Sequence, residues 1–479
     1  MKFVVIALCL VGIGLALHYV RQFFLRLPQT LWPHLPMIAA ILFYCAGGTL
    51  LAYLTLPQTD LDRMFLWRRI GDQHVLAALL ITTAFALFVD WLATRLRPYV
   101  SLPSRELTGA LDRLSLDPLA FALTSGVILG GYGALAATGR VSFHGAVNAA
   151  STDPSAGGAD PLLIVAQQTL ALLPLLCGYR LLVRGKLWFT LPVLLATVGF
   201  ALTEGRQQLV ILLFLALAGV LLNRQVRITR AITGAIVASL LAVALLGFFV
   251  SIAVRMATWY SPRSAGGAQV ASLALDLLVK GGQDQKTSVA AQTQSNADVR
   301  AFNPIQFLAS LTSADRSHPG SLGEAFVNGL GNAVPSVLWR DKDRYHREEE
   351  EIAATTFNVP IAYDEAETIM SGGYLDFREA GVASNALLLM LLFMAVLSMI
   401  RRARFPALKL AILSTLLFTA MEPEAAMLAW FLLLRSTLAL FLIDQALQTF
   451  QGQPRTVRPR RPAPVGALPE RASPGPLSR

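Results

Sequence analysis

A chain of 479 residues that is 54% hydrophobic and only 15% charged, with a mean hydropathy of +0.55, has too few charges to clothe a water-soluble globule of its size. Lipid must cover much of it. The excess of 40 Lys and Arg over 30 Asp and Glu does not point to nucleic acid, because the basic residues gather in short loops between apolar runs and in the tail.

A membrane span needs about 20 mostly apolar residues. The chain offers such runs at 3–20, 35–56, 75–95, 119–138, 161–183, 187–203, 207–223, 231–255, 381–400, 405–420 and 425–447. Residues 3–20 lack a small-residue cleavage site before Arg21 and open a series of similar segments, so they read as a first span and not as a signal peptide. The runs at 187–203 and 207–223 are short and tightly joined. Cys9, Cys45 and Cys177 all fall inside apolar runs, which implies neither a disulfide framework nor a cysteine metal site. The fold class expected is all-α: a polytopic membrane protein of about eleven transmembrane helices, with one long extracytoplasmic loop between spans eight and nine. Spans one to eight occupy 1–255, the loop 256–380, spans nine to eleven 381–447, and a basic tail rich in proline, read as disordered, 448–479.

Alternate short loops differ sharply in charge. One set holds Arg21 and Arg26, then Arg95, Arg97, Arg105 and Arg113, then Arg180, Arg184 and Lys186, then Arg224, Arg227 and Arg230, then Arg401, Arg402 and Arg404. The other set holds Arg63, Arg68, Arg69, Arg140 and Arg206. Basic loops stay in the cytoplasm, which places the C-terminus there and puts the N-terminus and the segment 256–380 outside.

That outer segment is too long for a simple connector. Its part 281–297 is polar and without apolar period, whereas the stretch from Ser321 to Trp339 carries apolar residues and is expected to fold onto the membrane face. A charged run follows from Arg340 to Glu351, and Ser371 to Gly381 leads into the next span. Arg435 lies near the middle of the last span, where an ionised residue is costly and usually paired, with Asp444 as one candidate partner. Met421-Glu422-Pro423-Glu424 reads as a turn before that span. Asp60 and Asp62 form an Asp-x-Asp in the first outer loop, a feature of nucleotide-sugar and dolichol-type glycosyltransferases that here reads more simply as two polar loop residues.

Three local patterns together resemble the Wzy-type O-antigen and exopolysaccharide repeat-unit polymerases. The first is Thr203-Glu204-Gly205-Arg206, where that family and the related O-antigen ligases place a turn ending in arginine. The second is the stretch Ala333 to Lys342, similar to an Ile-Pro-x-x-Leu-x-x-x-Lys segment of the polymerase outer loop. The third is Tyr374-Leu375-Asp376-Phe377-Arg378-Glu379-Ala380-Gly381, which looks like the family's Tyr-x-Asn-Phe-Gly-x-x-Gly. Asp376 stands where Asn is usual, Arg378 where Gly is usual, and Gly372 where Glu is often found.

The resemblance implies a glycosyltransferase of the bacterial plasma (inner) membrane. It would transfer a growing glycan from undecaprenyl pyrophosphate to a new lipid-linked repeat unit, without cofactor or metal. Its implied partners are the lipid-linked donor and acceptor, membrane lipid and a chain-length regulator protein, and not nucleic acid. Such chemistry needs guanidinium groups at the departing pyrophosphate, since Arg presents a planar fork to phosphate oxygens. It also needs a base near the attacking hydroxyl. Candidate substrate-binding residues are Arg206, Arg255, Arg340, Lys342, Arg344, Tyr374, Arg378 and Arg435. Candidate catalytic residues are His318, Glu324 and Asp376, with His346 and Glu379 as further outer-loop bases. An O-antigen-type ligase shares the donor chemistry, and a lipid-linked oligosaccharide flippase is the rival outside enzymes. Flippases generally show two similar halves, which this chain, with eight spans, a large loop and three more, does not.

Overall fold

The computed structural model of the chain describes residues 1–56, 61, 65, 70–137, 169–183, 185–204, 206–223, 257, 272–273, 305–314, 318–334, 349–359 and 367–450. The expected span at 231–255 and the tail beyond Phe450 lie outside the described residues. The apolar runs of the sequence form helices. α1 (Lys2–Arg26), α2 (His34–Thr55), α3 (Asp72–Arg95) and α6 (Pro118–Ala137) come first, after a short intervening α4 (Arg97–Val100) and α5 (Ser104–Leu111). α7 (Leu172–Leu181), α8 (Leu187–Glu204) and α9 (Arg206–Leu222) follow. The segment 256–380 contributes a helical stretch at 305–313, α10 (Glu324–Ala333) and α11 (Glu349–Phe357). The described helices end with α12 (Ile369–Arg402), α13 (Pro406–Ala420) and α14 (Met427–Phe450).

Six of these helices are long and apolar enough to cross a membrane: α1, α2, α3, α6, α12 and α14. Four more, α7, α8, α9 and α13, are apolar but shorter. The outer faces of the helices are apolar as well as their contacts. Phe3 is 87% exposed, Val127 74% and Trp188 86%, on a scale that no water-soluble fold sustains around its whole circumference. The chain is therefore a helical, membrane-embedded protein. The only strands among the described residues, β1 (Thr30–Leu31) and β2 (Leu102–Pro103), pair antiparallel and tie the α1–α2 turn to the segment after α3.

Small residues set the closest helix contacts, as expected where no hydrophobic force drives helices together. A Cβ on Gly178 of α7 would stand 1.9 Å from the Ala216 carbonyl oxygen of α9, and one on Gly219 of α9 would stand 2.2 Å from Leu175 O of α7. The two helices touch backbone to backbone at both places. Gly12 of α1 instead faces a side chain of α2, where an added Cβ would stand 2.8 Å from the Ala46 Cβ, too close for both.

α12 holds the largest departure from the sequence expectation. A span was expected from residue 381, but helix begins twelve residues earlier at Ile369, where Thr368 and Ser371 cap one another through side chain and backbone. The helix then breaks at Phe377 (φ −141°, ψ 29°) and Arg378 (φ 57°, ψ −140°). Past the break the chain doubles back. Gly381 meets Gly373 so closely that a Cβ there would be 1.9 Å from the Gly373 oxygen, and Asn385 Nδ2 donates to Ile369 O at 2.9 Å. Ile369 to Asp376 is thus a short arm folded against the start of the long helix. Ser371-Gly372-Gly373 reads locally as loop, which hid this arm.

Candidate functional site

The arm ends where α10 begins, and the two helix ends satisfy each other. A helix N-terminus leaves N–H groups without partners and a C-terminus leaves carbonyls. Asp376, 4% exposed, accepts from the N–H of Ala325 at 2.9 Å, the N–H of Phe326 at 2.9 Å and the Ser321 hydroxyl at 2.6 Å. In return, Ser321 N donates to Leu375 O at 2.9 Å and Leu322 N to Asp376 O at 3.1 Å. The turn that makes this possible uses positive φ at Gly320, Leu322 and Gly323, and a Cβ on Gly320 would collide with Asp376 O at 2.3 Å. The geometry gives Asp376 a capping role, with both carboxylate oxygens engaged.

Arg435 holds the other end of the same helix. Its Nη1 donates to Ala333 O at 2.9 Å, the last carbonyl of α10. It does not pair with Asp444, which instead caps α13 by accepting from the N–H of Arg404 at 3.1 Å and of Phe405 at 2.8 Å. α10 lies along α14, with Phe326 edge-on to Phe431 at 5.4 Å and Gly329 against the Leu428 backbone. The segment expected to fold onto the membrane face therefore reaches eight residues into α14.

Beside the turn lies a cavity of about 360 Å³, lined by Gln73, His74, Ala77 and Ile81 of α3, Thr312, Ser313 and Ala314, and Tyr374 and Glu379 from either side of the α12 break. Hydroxyl, amide, imidazole and carboxylate groups beside one aromatic ring suit a sugar. Among the described residues of the lining there is no arginine. His74 was not singled out by the sequence, because it opens a span after the Gly71-Asp72-Gln73 turn. Its Nδ1 accepts from Gly71 N at 3.1 Å, so the neutral ring carries its proton on Nε2 and serves as a donor. Glu379 is the carboxylate of the lining, and its side chain is exposed.

The rim carries a cation. Arg378 stacks its guanidinium over Phe357 at 4.6 Å and Tyr374 at 5.6 Å from the ring centroids, and donates through Nε to His318 O at 3.1 Å. His318 itself packs on Phe357 at 5.6 Å, its Nδ1 accepting from Gly320 N at 3.2 Å. Thus His318, Asp376, Tyr374 and Arg378 gather in one neighbourhood. Glu324, half-exposed, opens α10 beside them. Arg435 sits a helix length away, roughly 15 Å for ten residues. Arg206 opens α9, its side chain outside the description; Arg255, Arg340, Lys342, Arg344 and His346 lie outside the described residues.

No family model, curated protein sequence or solved structure matches the chain.

Proposed function

We propose that the chain is a polymerase of lipid-linked glycan repeat units, with the cavity at the α12 break receiving the acceptor sugar. One observation carries this reading. The strip Tyr374 to Gly381 on which the family resemblance rests forms the backbone reversal, and it supplies Tyr374 and Glu379 to the cavity lining. Arg378, which occupies the place where the family has glycine, has the positive φ that glycine adopts most readily. In this reading the acceptor hydroxyl attacks the donor's anomeric carbon, its proton passes to the Glu379 carboxylate, and the bond to the pyrophosphate oxygen breaks. His74, donating from Nε2, orients the acceptor, and Arg378 at the rim faces the leaving pyrophosphate with its charge.

The experiment is elongation by the purified chain in liposomes supplied with undecaprenyl-pyrophosphate-linked repeat units. A ladder of products is expected, unchanged by EDTA, and reduced by roughly 10²- to 10⁴-fold in Glu379→Gln, the usual range for a general base. Repeat units that cross the bilayer without being joined would replace this reading with a flippase.

A further inference from the structure

At the end of the bundle opposite the cavity, the C-terminal ends of α1, α3 and α12 meet the start of α2. Trp32, buried at 5% exposure, stands between α1 and α2. Two guanidinium groups lie over this one indole: Arg26, from the last turn of α1, at 5.2 Å from its centroid, and Arg97, from the start of α4, at 5.4 Å. Both arginines are exposed. Among the described residues neither has a carboxylate within ion-pair distance. Asp90, the acidic group whose charge Arg26 feels, is committed inward, accepting from the Tyr19 hydroxyl at 3.3 Å and facing His34 Nε2 at 3.5 Å.

Two guanidinium groups over one ring concentrate positive charge at one point of the surface, which favours an anion there. Their positions are fixed by the fold, because Arg401 at the end of α12 donates to Pro98 O at 2.7 Å and Ser101 O at 2.6 Å and so pins α4. The surroundings are those of a bilayer boundary. Trp91, with Arg95 over its ring at 5.7 Å, is 52% exposed, and Tyr99 58%, the amphipathic aromatics that settle at headgroup depth. Leu25, 63% exposed, and Leu17, 58%, carry an apolar surface away from Arg26 along α1.

We propose that Arg26, Trp32 and Arg97 form a binding site for the phosphate of an anionic membrane lipid. The indole holds the two guanidinium forks flat, leaving N–H groups for phosphate oxygens, while the acyl chains lie against the exposed leucines of α1. The position at the ends of spans, continuous with lipid-facing surface, selects a lipid headgroup over phosphate in solution.

The test is native mass spectrometry of the full chain in detergent, titrated with phosphatidylglycerol, phosphatidylcholine or inorganic phosphate. Phosphatidylglycerol should be retained where phosphatidylcholine is not, and phosphate should not displace it. The double variant Arg26→Gln/Arg97→Gln should weaken retention roughly 10- to 30-fold, the effect of removing two arginines from a headgroup. Arg26→Lys/Arg97→Lys, which keeps charge without the fork, should fall between. Arg113→Gln, at an exposed arginine elsewhere, should change nothing. Equal retention by the glutamine pair at unchanged thermal stability, an equal loss in Arg113→Gln, or displacement by phosphate would each overturn the site.

Discussion

Asp376 and Arg435 grip the two ends of one ten-residue helix: the carboxylate accepts the N–H groups that open α10, and the guanidinium takes the carbonyl that closes it. Each charge also opposes the partial charge of the helix end that it meets. Asp376→Ala leaves one buried and two part-buried donors unpaired and should cost about 3 kcal/mol. Asp376→Asn, which keeps one acceptor oxygen, should cost about 1 kcal/mol, and Arg435→Met about 1–2 kcal/mol. Because both residues hold the same element, the double change should cost less than the two single changes added. The readout is thermal unfolding followed by thiol labelling, since Cys9, Cys45 and Cys177 are all buried and free.

The second prediction separates backbone from side chain at Arg378. Both Arg378→Gly and Arg378→Ala remove the guanidinium from Phe357 and Tyr374, but only glycine relaxes at φ 57°. The glycine variant should be the more stable of the two by about 1–2 kcal/mol. Both should lose elongation activity to the same degree. Equal stability would mean that the break carries no strain.

Gly178 and Gly219 make a prediction about packing. Gly178→Ala inserts a methyl 1.9 Å from Ala216 O, forcing α7 and α9 apart, and should cost about 3 kcal/mol. Gly126→Ala on α6, where a Cβ meets nothing within 4 Å, should be neutral or add up to about 1 kcal/mol. Melting temperatures of the two variants beside the parent decide it.

The turn between α13 and α14 makes stability depend on pH. Burial, and then the neighbouring Glu424, raises the Glu422 carboxyl from 4.5 to about 7. Glu424 accepts from the Tyr44 hydroxyl. A folded state that holds a proton more tightly than the unfolded chain has this contribution in full below pH 4.5 and loses it as the pH rises through about 7. Glu422→Gln should flatten the stability profile across that window and be more stable than the parent above it. Melting curves from pH 4.5 to 8 test this, and a parent profile that rises across the window would refute it.

The helices were legible because hydropathy is a local property: α8 and α9 run within a few residues of the expected 187–203 and 207–223. Turns of special geometry were not. The positive φ at Leu322 and Arg378 depends on neighbours far along the chain, and Ser371-Gly372-Gly373 gave no local sign of helix. Charge in an apolar setting did single out Arg435, since a buried ion needs a partner, and the family-like strip from Tyr374 to Gly381 singled out Asp376. What it did not disclose was the partner, a backbone terminus and not an opposite charge. His74 carried no signal in the sequence beyond its place at the head of a span. Its neighbours in the cavity are supplied by residues 312–314, 374 and 379.

The double grip on α10 has a consequence for biosynthesis. Phe326 waits 50 residues for the carboxylate that caps its helix, and Ala333 waits 102 residues for the guanidinium. As the chain emerges from the ribosome, the segment that becomes α10 leaves the insertion machinery with neither end secured. Both ends are held only after α14 (Met427–Phe450) has been made and has entered the bilayer. A ribosome that stops short of residue 435 therefore leaves a protein with most of its described helices made and the C-terminal carbonyl of α10 without its guanidinium.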